Sequence, residues 1–338
     1  MSDSTPRQLL GRRDTTVDGL RGVAAMLVVL RHVLRSDVFG MHWFHSLELG
    51  RMGVQLFFVI SGYVIGALLT NQPSDARTLG RFLARRLVRL SPPYWAAIAL
   101  SIALTVIYRR VYPTGHYADL RPDLLLCSLT YSCYPLGMDL YVPVGWSLEL
   151  EVQFYLLAGC IVPLAVRLGA PAAWIAAAAL LAVSPLAPMT TALRYAPPFV
   201  IGMAIVAHRR GALGFPLFAA LTAAIAGGWA ALLGDPWTGA TIALGALAIA
   251  VGVPMPAPLV WLGGISYSLY LVHEKLGPPF VRGVKLLGFP TLDTGWLVLW
   301  SGLAVAGCIA AAWLLHRFVE MPAVRWSHAI RVAPASRE

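Results

Sequence analysis

Apolar runs follow one another down nearly the whole chain, broken by arginine, proline and glycine, and this pattern limits the possible folds more than any other feature. Ten runs stand out, at roughly 17–34, 53–70, 91–108, 147–166, 171–187, 193–208, 215–233, 238–253, 259–276 and 294–316. Several fall short of the ~20 residues that cross a bilayer upright. Each must still be helical, because hydrocarbon offers no partner to an open backbone N–H or C=O. Composition agrees: 58% of residues are hydrophobic and 12% charged, where soluble globular chains carry about 25% charged residues. A soluble enzyme of this size needs far more polar surface. Residues 109–146 break the pattern. They are polar, rich in Tyr and Pro, and read either as an exposed loop or as a re-entrant lining of a cavity. No internal repeat, low-complexity linker or second soluble domain stands out.

The few charges are lopsided. Lysine and arginine total 26 against 16 acids, 24 of the 26 are arginine, and the net charge is +10. In so apolar a chain this surplus points to cytoplasmic anchoring and an anionic ligand rather than to nucleic acid. With the N-terminus inside, the inner segments collect fifteen cations and the outer ones nine, Arg21 and Arg31 lying within the first run. Both termini are therefore expected in the cytoplasm. Arg12-Arg13 before the apolar core Val23–Leu30 mimic a signal peptide, but Asp18 and Arg21 interrupt it and Arg31-His32 close it without a small-residue cleavage site. The first run is read as retained. Cys127 and Cys133, six apart, could pair if their loop faced an oxidising space; Cys160 and Cys308 read as small core residues.

Ionisable groups inside the runs carry the functional signal, since they are costly in lipid. Arg21 and His32 are eleven residues apart, three helical turns, and so share one face about 16 Å apart along the axis. Such a face suits a ligand with an anionic end and a reactive end; the alternative is that both residues are polar glue between helices. Gly53, Ser61, Gly62 and Gly66 permit close helix packing. Arg85, Arg86 and Arg89 cluster at i,i+3 and i,i+4, suited to phosphate or to anchoring against anionic lipid. Ser147, Glu151 and Tyr155 form one polar stripe at the head of the fourth run, with Glu149 and Gln153 forming a second. Glu151 could orient or charge-stabilise an imidazole such as His32. Ser266, Tyr270 and His273 share a face further on, where a lone histidine is more often structural. Glu320 stands three residues from Arg317.

Taken in order, VDGLRGVAAMLVVLRH, GVQLFFVISGYVI, RFLARRLVRLSPPYW, WSLELEVQFYLL, LGGISYSLYLVH and VEMP resemble the acyltransferase-3 family of polytopic membrane acyltransferases, across residues 17–322. The resemblance implies an all-α polytopic membrane protein of about ten transmembrane helices around a polar central cavity. It also implies transfer of an acyl group, commonly acetyl from acetyl-CoA, to a hydroxyl, often of a sugar. Its Arg-x10-His pair maps onto Arg21 and His32, its Arg-x-x-Arg onto Arg86 and Arg89, and its Trp-Ser-Leu-x-x-Glu carboxylate onto Glu151. Arg21, Arg86 and Arg89 would then grip CoA phosphates, and His32 would act as general base or transient acyl carrier with Glu151 supporting it. Many members have an acid where this chain has Gln55, and Glu149 replaces a usually small or neutral residue. The chain ends soon after the last run, without the esterase-like domain that some members append. The expected organisation is a cytoplasmic arm over 1–16, the membrane domain over 17–322 and a cytoplasmic tail over 323–338, in a bacterial inner membrane. The expected partners are acyl-CoA, a glycan or other hydroxyl acceptor and the bilayer, with no metal and no nucleic acid. The rival is a transporter or flippase of an anionic or sugar-lipid substrate, using the same buried ions without chemistry. A retinal-type receptor fits poorly, because Lys275 lies near a run's end beside Glu274.

Overall fold

The computed structural model describes residues 14–34, 48–70, 75–111, 120–288 and 294–330, and within them every regular element is helical. The helices are α1 (Thr15–Val33), α2 (Leu49–Leu69), α3 (Ala76–Val111), α4 (Pro122–Leu129), α5 (Trp146–Leu168), α6 (Ala170–Val183) and α7 (Ala196–Arg209). They continue as α8 (Phe215–Leu233), α9 (Pro236–Val251), α10 (Ala257–Gly264), α11 (Ser266–Leu286), α12 (Thr294–Leu315) and α13 (Met321–Ala329). Residues 1–13 of the expected N-terminal arm and 331–338 of the tail lie outside the described residues.

Helix covers each of the ten apolar runs, but only five stretches are long and apolar enough to cross a membrane by themselves. These are Leu49–Leu69, Arg77–Arg110, Pro143–Leu168, Phe215–Leu233 and Val298–Ala329. Ala170–Leu186 and Pro236–Val251 are apolar but shorter. Helices α1 and α11 are diluted by charge, the first by Asp18, Arg21 and Arg31 and the second by Glu274, Lys275 and Arg282.

Three elements depart from the expected boundaries. Helix α3 begins at Ala76 and runs 36 residues through Pro92 and Pro93, so the Arg81–Arg89 stretch continues directly into the third apolar run. Proline is tolerated inside a membrane helix when neighbours serve the disturbed backbone. The Tyr267 hydroxyl of α11 donates to the Leu90 carbonyl at 2.7 Å, next to the Val88 and Arg89 carbonyls that the two prolines leave without helical donors. The run at 259–276 divides at Ile265 into α10 and α11. The final run passes through a π turn, His316–Glu320, into α13.

Between α3 and α5, residues 120–145 fold back onto the bundle. Leu124, Tyr131, Tyr141, Val142 and Val144 are buried, and Cys127 and Cys133 form a disulfide. The Ser101 hydroxyl on α3 donates to the Tyr141 carbonyl. At the segment's exposed start, the Arg121 guanidinium hydrogen-bonds Asp123 and holds its carboxyl below the usual range.

Backbone-to-backbone crossings fix where α1 and α2 stand. A Cβ on Gly263 would overlap the Asp18 carbonyl, and one on Gly22 the Leu259 carbonyl, so α1 and α10 meet with nothing between them. Likewise Gly62 of α2 faces the Phe199 carbonyl and Gly202 of α7 faces the Val59 carbonyl. Small residues of this kind let membrane helices approach closely. At the start of α1, Asp14 accepts from the Thr16 and Val17 amides at 3.1 and 3.2 Å and pairs with Arg209 of α7 at 2.8 Å.

Because the Gly202 crossing has no room for a side chain, Gly202→Leu should lower stability by about 1–3 kcal/mol or more. Gly227→Ala, in the open on α8, should leave the melting temperature in detergent unchanged or slightly higher. Equal melting temperatures for the two variants would contradict this crossing.

Candidate functional site

Helix periodicity places Arg21 and His32 on one face of α1, and each opens onto its own cavity. Arg21 lines a cavity of about 120 Å³ with Arg86, Arg89, Ser61, Glu151 and Tyr155. His32 lines one of about 890 Å³ with Gln55, Trp146, Arg194, Tyr195 and Glu274. Val54 and Tyr270 belong to both walls, so the two cavities abut. A third, of about 220 Å³, adjoins the Arg21 cavity on its far side, sharing Val64, Arg86 and Arg89 and adding Arg85 and His328.

In the smaller cavity the polar stripe Ser147, Glu151 and Tyr155 of α5 faces inward. Glu151 Oε1 accepts from the Ser61 hydroxyl and from the Tyr155 hydroxyl, both at 2.7 Å. The Arg86 guanidinium lies 5.6 Å from the Phe82 ring centre and 5.7 Å from that of Tyr155, within cation–π range. Three guanidiniums and one carboxylate thus share one small space. Arginine forks of this kind match phosphate oxygens.

The second stripe of α5 has a different job. Glu149 is buried and accepts from the Tyr134 amide at 2.7 Å. The Gln153 side chain accepts from the Ala192 amide at 2.9 Å and donates to the Thr190 carbonyl at 3.2 Å. These two residues tie down the loops flanking the larger cavity. Gln55 accepts from the Trp229 indole at 3.2 Å.

Around His32 the structure adds a partner that the sequence reading left as structural. His273 of α11 is fully buried, and its Nε2 lies 3.3 Å from His32 Nδ1, the rings being 4.9 Å apart at 68°. Carbonyl oxygens only accept, so the nearby ring nitrogens must carry the protons. His273 Nδ1 is 2.8 Å from the Tyr270 carbonyl and 3.2 Å from that of Leu269. It therefore carries a hydrogen, leaving Nε2 as an acceptor. His32 Nδ1, 2.9 Å from the Val28 carbonyl, also carries a hydrogen, which it shares with that acceptor. In the neutral imidazole this tautomer puts the lone pair on His32 Nε2. The i, i+4, i+7 stripe of Ser266, Tyr270 and His273 was the only sequence signal for this contact, and it names no partner.

Glu151, expected to support His32, is not brought to it: its hydrogen bonds go to Ser61 and Tyr155, in the arginine-lined cavity. What joins the two spaces is Tyr270, whose hydroxyl lies 2.7 Å from that of Ser147 and donates to the Val144 carbonyl at 2.9 Å. Glu320 pairs with His316 at 2.9 Å and accepts from the Ser268 hydroxyl at 2.7 Å. Arg317, three residues from Glu320, is exposed instead.

Apolar helices around arginine-lined cavities, five of them long enough to cross a membrane alone, mark a multi-pass integral membrane protein. A family model described as an acyltransferase domain, Acyl_transf_3, matches residues 14–317. The chain belongs to that family. Among curated relatives, it is 30% identical over 155 residues to the peptidoglycan O-acetyltransferase OatA of Listeria monocytogenes, covering 42% of this chain and 23% of the relative. It is 30% identical over 150 residues to the acyltransferase MdmB of Streptomyces mycarofaciens, covering 42% and 37%. Against the O-acetyltransferase OatA of Staphylococcus aureus it is 29% identical over 161 residues, covering 45% and 24%. The matched stretch thus spans well under half the length of each relative. No solved structure matches the chain.

Removing the Glu151 carboxylate strands two hydroxyls and leaves the arginines without their shared acid. Glu151→Leu should therefore cost about 1–3 kcal/mol, read as a lower melting temperature. Glu151→Gln, whose amide oxygen still accepts, should lose less; an equal loss in both would rule out the acceptor role.

Proposed function

We propose that the chain is a membrane O-acyltransferase that moves an acyl group, acetyl in the simplest case, from acyl-CoA to a hydroxyl on a cell-surface or lipid-linked sugar. The observation that carries this reading is the His32 imidazole, held by the Val28 carbonyl and His273 with Nε2 left basic, in a cavity that abuts the arginine-lined one across Tyr270. Membership of the acyltransferase family and the O-acetyltransferase names of two relatives support it. In this reading residues 17–322 form about ten membrane helices around a polar core in a bacterial inner membrane. Both termini face the cytoplasm, on the side of the Arg81–Arg89 stretch.

The donor's phosphates bind Arg86 and Arg89, with Arg21 deeper in the same space, and Glu151 keeps these cations spaced and partly neutralised. The pantetheine arm passes Tyr270 and brings the thioester to His32. As the acceptor hydroxyl oxygen attacks the thioester carbon, His32 Nε2 takes its proton. The tetrahedral intermediate collapses, the C–S bond breaks, and the proton passes from His32 to the leaving thiolate. Ester and free CoA result. His273 acts through His32 as a positioning residue: it accepts the Nδ1 hydrogen, so the basic nitrogen faces the substrate.

The test uses purified full-length protein in lipid, labelled acetyl-CoA and envelope glycan as acceptor. Covalently labelled ester is expected. His32→Ala should lower its rate by about 10²–10⁴-fold with folding intact. His273→Ala should lower kcat by a smaller factor while leaving KM for acetyl-CoA unchanged. Full transfer by His32→Ala would remove the base assignment, and uptake of donor or glycan without new ester would favour the transporter.

A further inference from the structure

The larger cavity holds more charge than the reacting imidazole requires. Among the described residues, Arg31, Arg51 and Arg194 line it against one acid, Glu274. Arg194 is oriented by backbone: its Nη1 donates to the Pro185 carbonyl at 2.5 Å and lies 3.4 Å from that of Ser184. Its Nε is buried with no hydrogen-bond partner among the described residues. Arg51 stands 3.7 Å from the carboxylates of Glu48 and Asp235, longer than a hydrogen bond. Asp235, moreover, is already occupied in capping α9, accepting from the Trp237 and Thr238 amides and the Thr238 hydroxyl. Both guanidiniums lie close enough to the Tyr195 phenol to act on it electrostatically. Glu274 Oε2 is likewise buried and unpartnered among the described residues. Trp146 and Tyr195 supply an aromatic surface, their ring centres 5.8 Å apart.

Buried polar atoms are nearly always hydrogen-bonded, so an unpaired one facing a cavity calls for a partner from outside the chain. This cavity presents such a donor on a cation and such an acceptor on an acid. Its volume of about 890 Å³ leaves room for more than one sugar ring, within the ~300–1,000 Å³ usual for ligand sites. We propose that the acceptor is an anion-bearing sugar, its carboxylate or phosphate held by Arg194 and Arg51, its hydroxyls by Glu274, and its ring against Trp146 and Tyr195. This inference rests on the transferase reading and specifies its acceptor. A neutral sugar would leave the Arg194 fork facing only hydroxyls, and charge-assisted bonds are roughly twice as strong as neutral ones.

The experiment is thermal-shift binding by the full chain in lipid, with methyl glucoside, methyl glucuronide and glucose 1-phosphate as matched probes. At least one anionic probe should stabilise the protein at roughly tenfold lower concentration than methyl glucoside, with the preference shrinking as salt rises. Which anion does so separates carboxylate from phosphate. Arg51→Gln and Arg194→Gln should each erase most of that preference. Arg51→Gln is the more decisive, since Arg194 also holds the loop at Pro185. Equal response to all three probes, no response to any, or a preference intact in both variants would overturn the proposal. Binding is read without turnover, so an anion preference in a protein that makes no ester would fault the transferase reading instead. Transfer confined to neutral acceptors would fault this inference alone.

Discussion

An arginine inside hydrocarbon must find partners, and the arrangement of this protein follows from that requirement. Arg21, Arg86 and Arg89 come from two helices and share one small cavity, whose acid, Glu151, comes from a third. The polar faces of α1, α3, α5 and α11 are therefore turned toward one another. The apolar faces of the outer helices are left for lipid: Leu164, Leu217, Leu244 and Val298 are all exposed. Glycine makes this geometry reachable. With bare backbone at Gly22 and Gly263, α1 sits against α10 closely enough for its charged face to meet α11.

Hydrogen bonding then divides the labour within single helices. On α5, residues two positions apart serve different ends: Glu149 and Gln153 hold loops, while Ser147, Glu151 and Tyr155 face the cavities. On α11, Ser268 meets Glu320, Tyr270 meets Ser147, and His273 meets His32. The helix joins the last turn of the bundle, the wall between two cavities and the imidazole. Nothing in this network depends on a surface ion pair, the kind of contact that contributes least.

Much of this was legible in the sequence, and the limits have a physical cause. A 3.6-residue period is local, so the Arg21–His32 face and the two stripes of α5 could be read directly. Contacts across the bundle are not periodic. His32 and His273 are 241 residues apart, and Ser61 and Glu151 are 90 apart. Those partnerships decide which stripe serves which cavity, and they bring Glu151 to Ser61 and Tyr155 beside the arginines, which no periodicity on α5 could show. Helix α3 differs for another reason: the third apolar run begins at 91 because the Arg81–Arg89 stretch before it is charged, yet a helix continues through charged residues as readily as through apolar ones. The disulfide between Cys127 and Cys133 was left open because spacing alone does not reveal which way a loop folds.

The central claim is that one extended ligand occupies both cavities, with phosphates at one end and a thioester at the other. An experimental structure of the full chain with bound CoA tests it most directly. The account predicts phosphate density against Arg86 and Arg89 and the thiol sulfur beyond Tyr270, within reach of His32. Phosphates bound in the larger cavity, or a thiol that stops short of Tyr270, would contradict it.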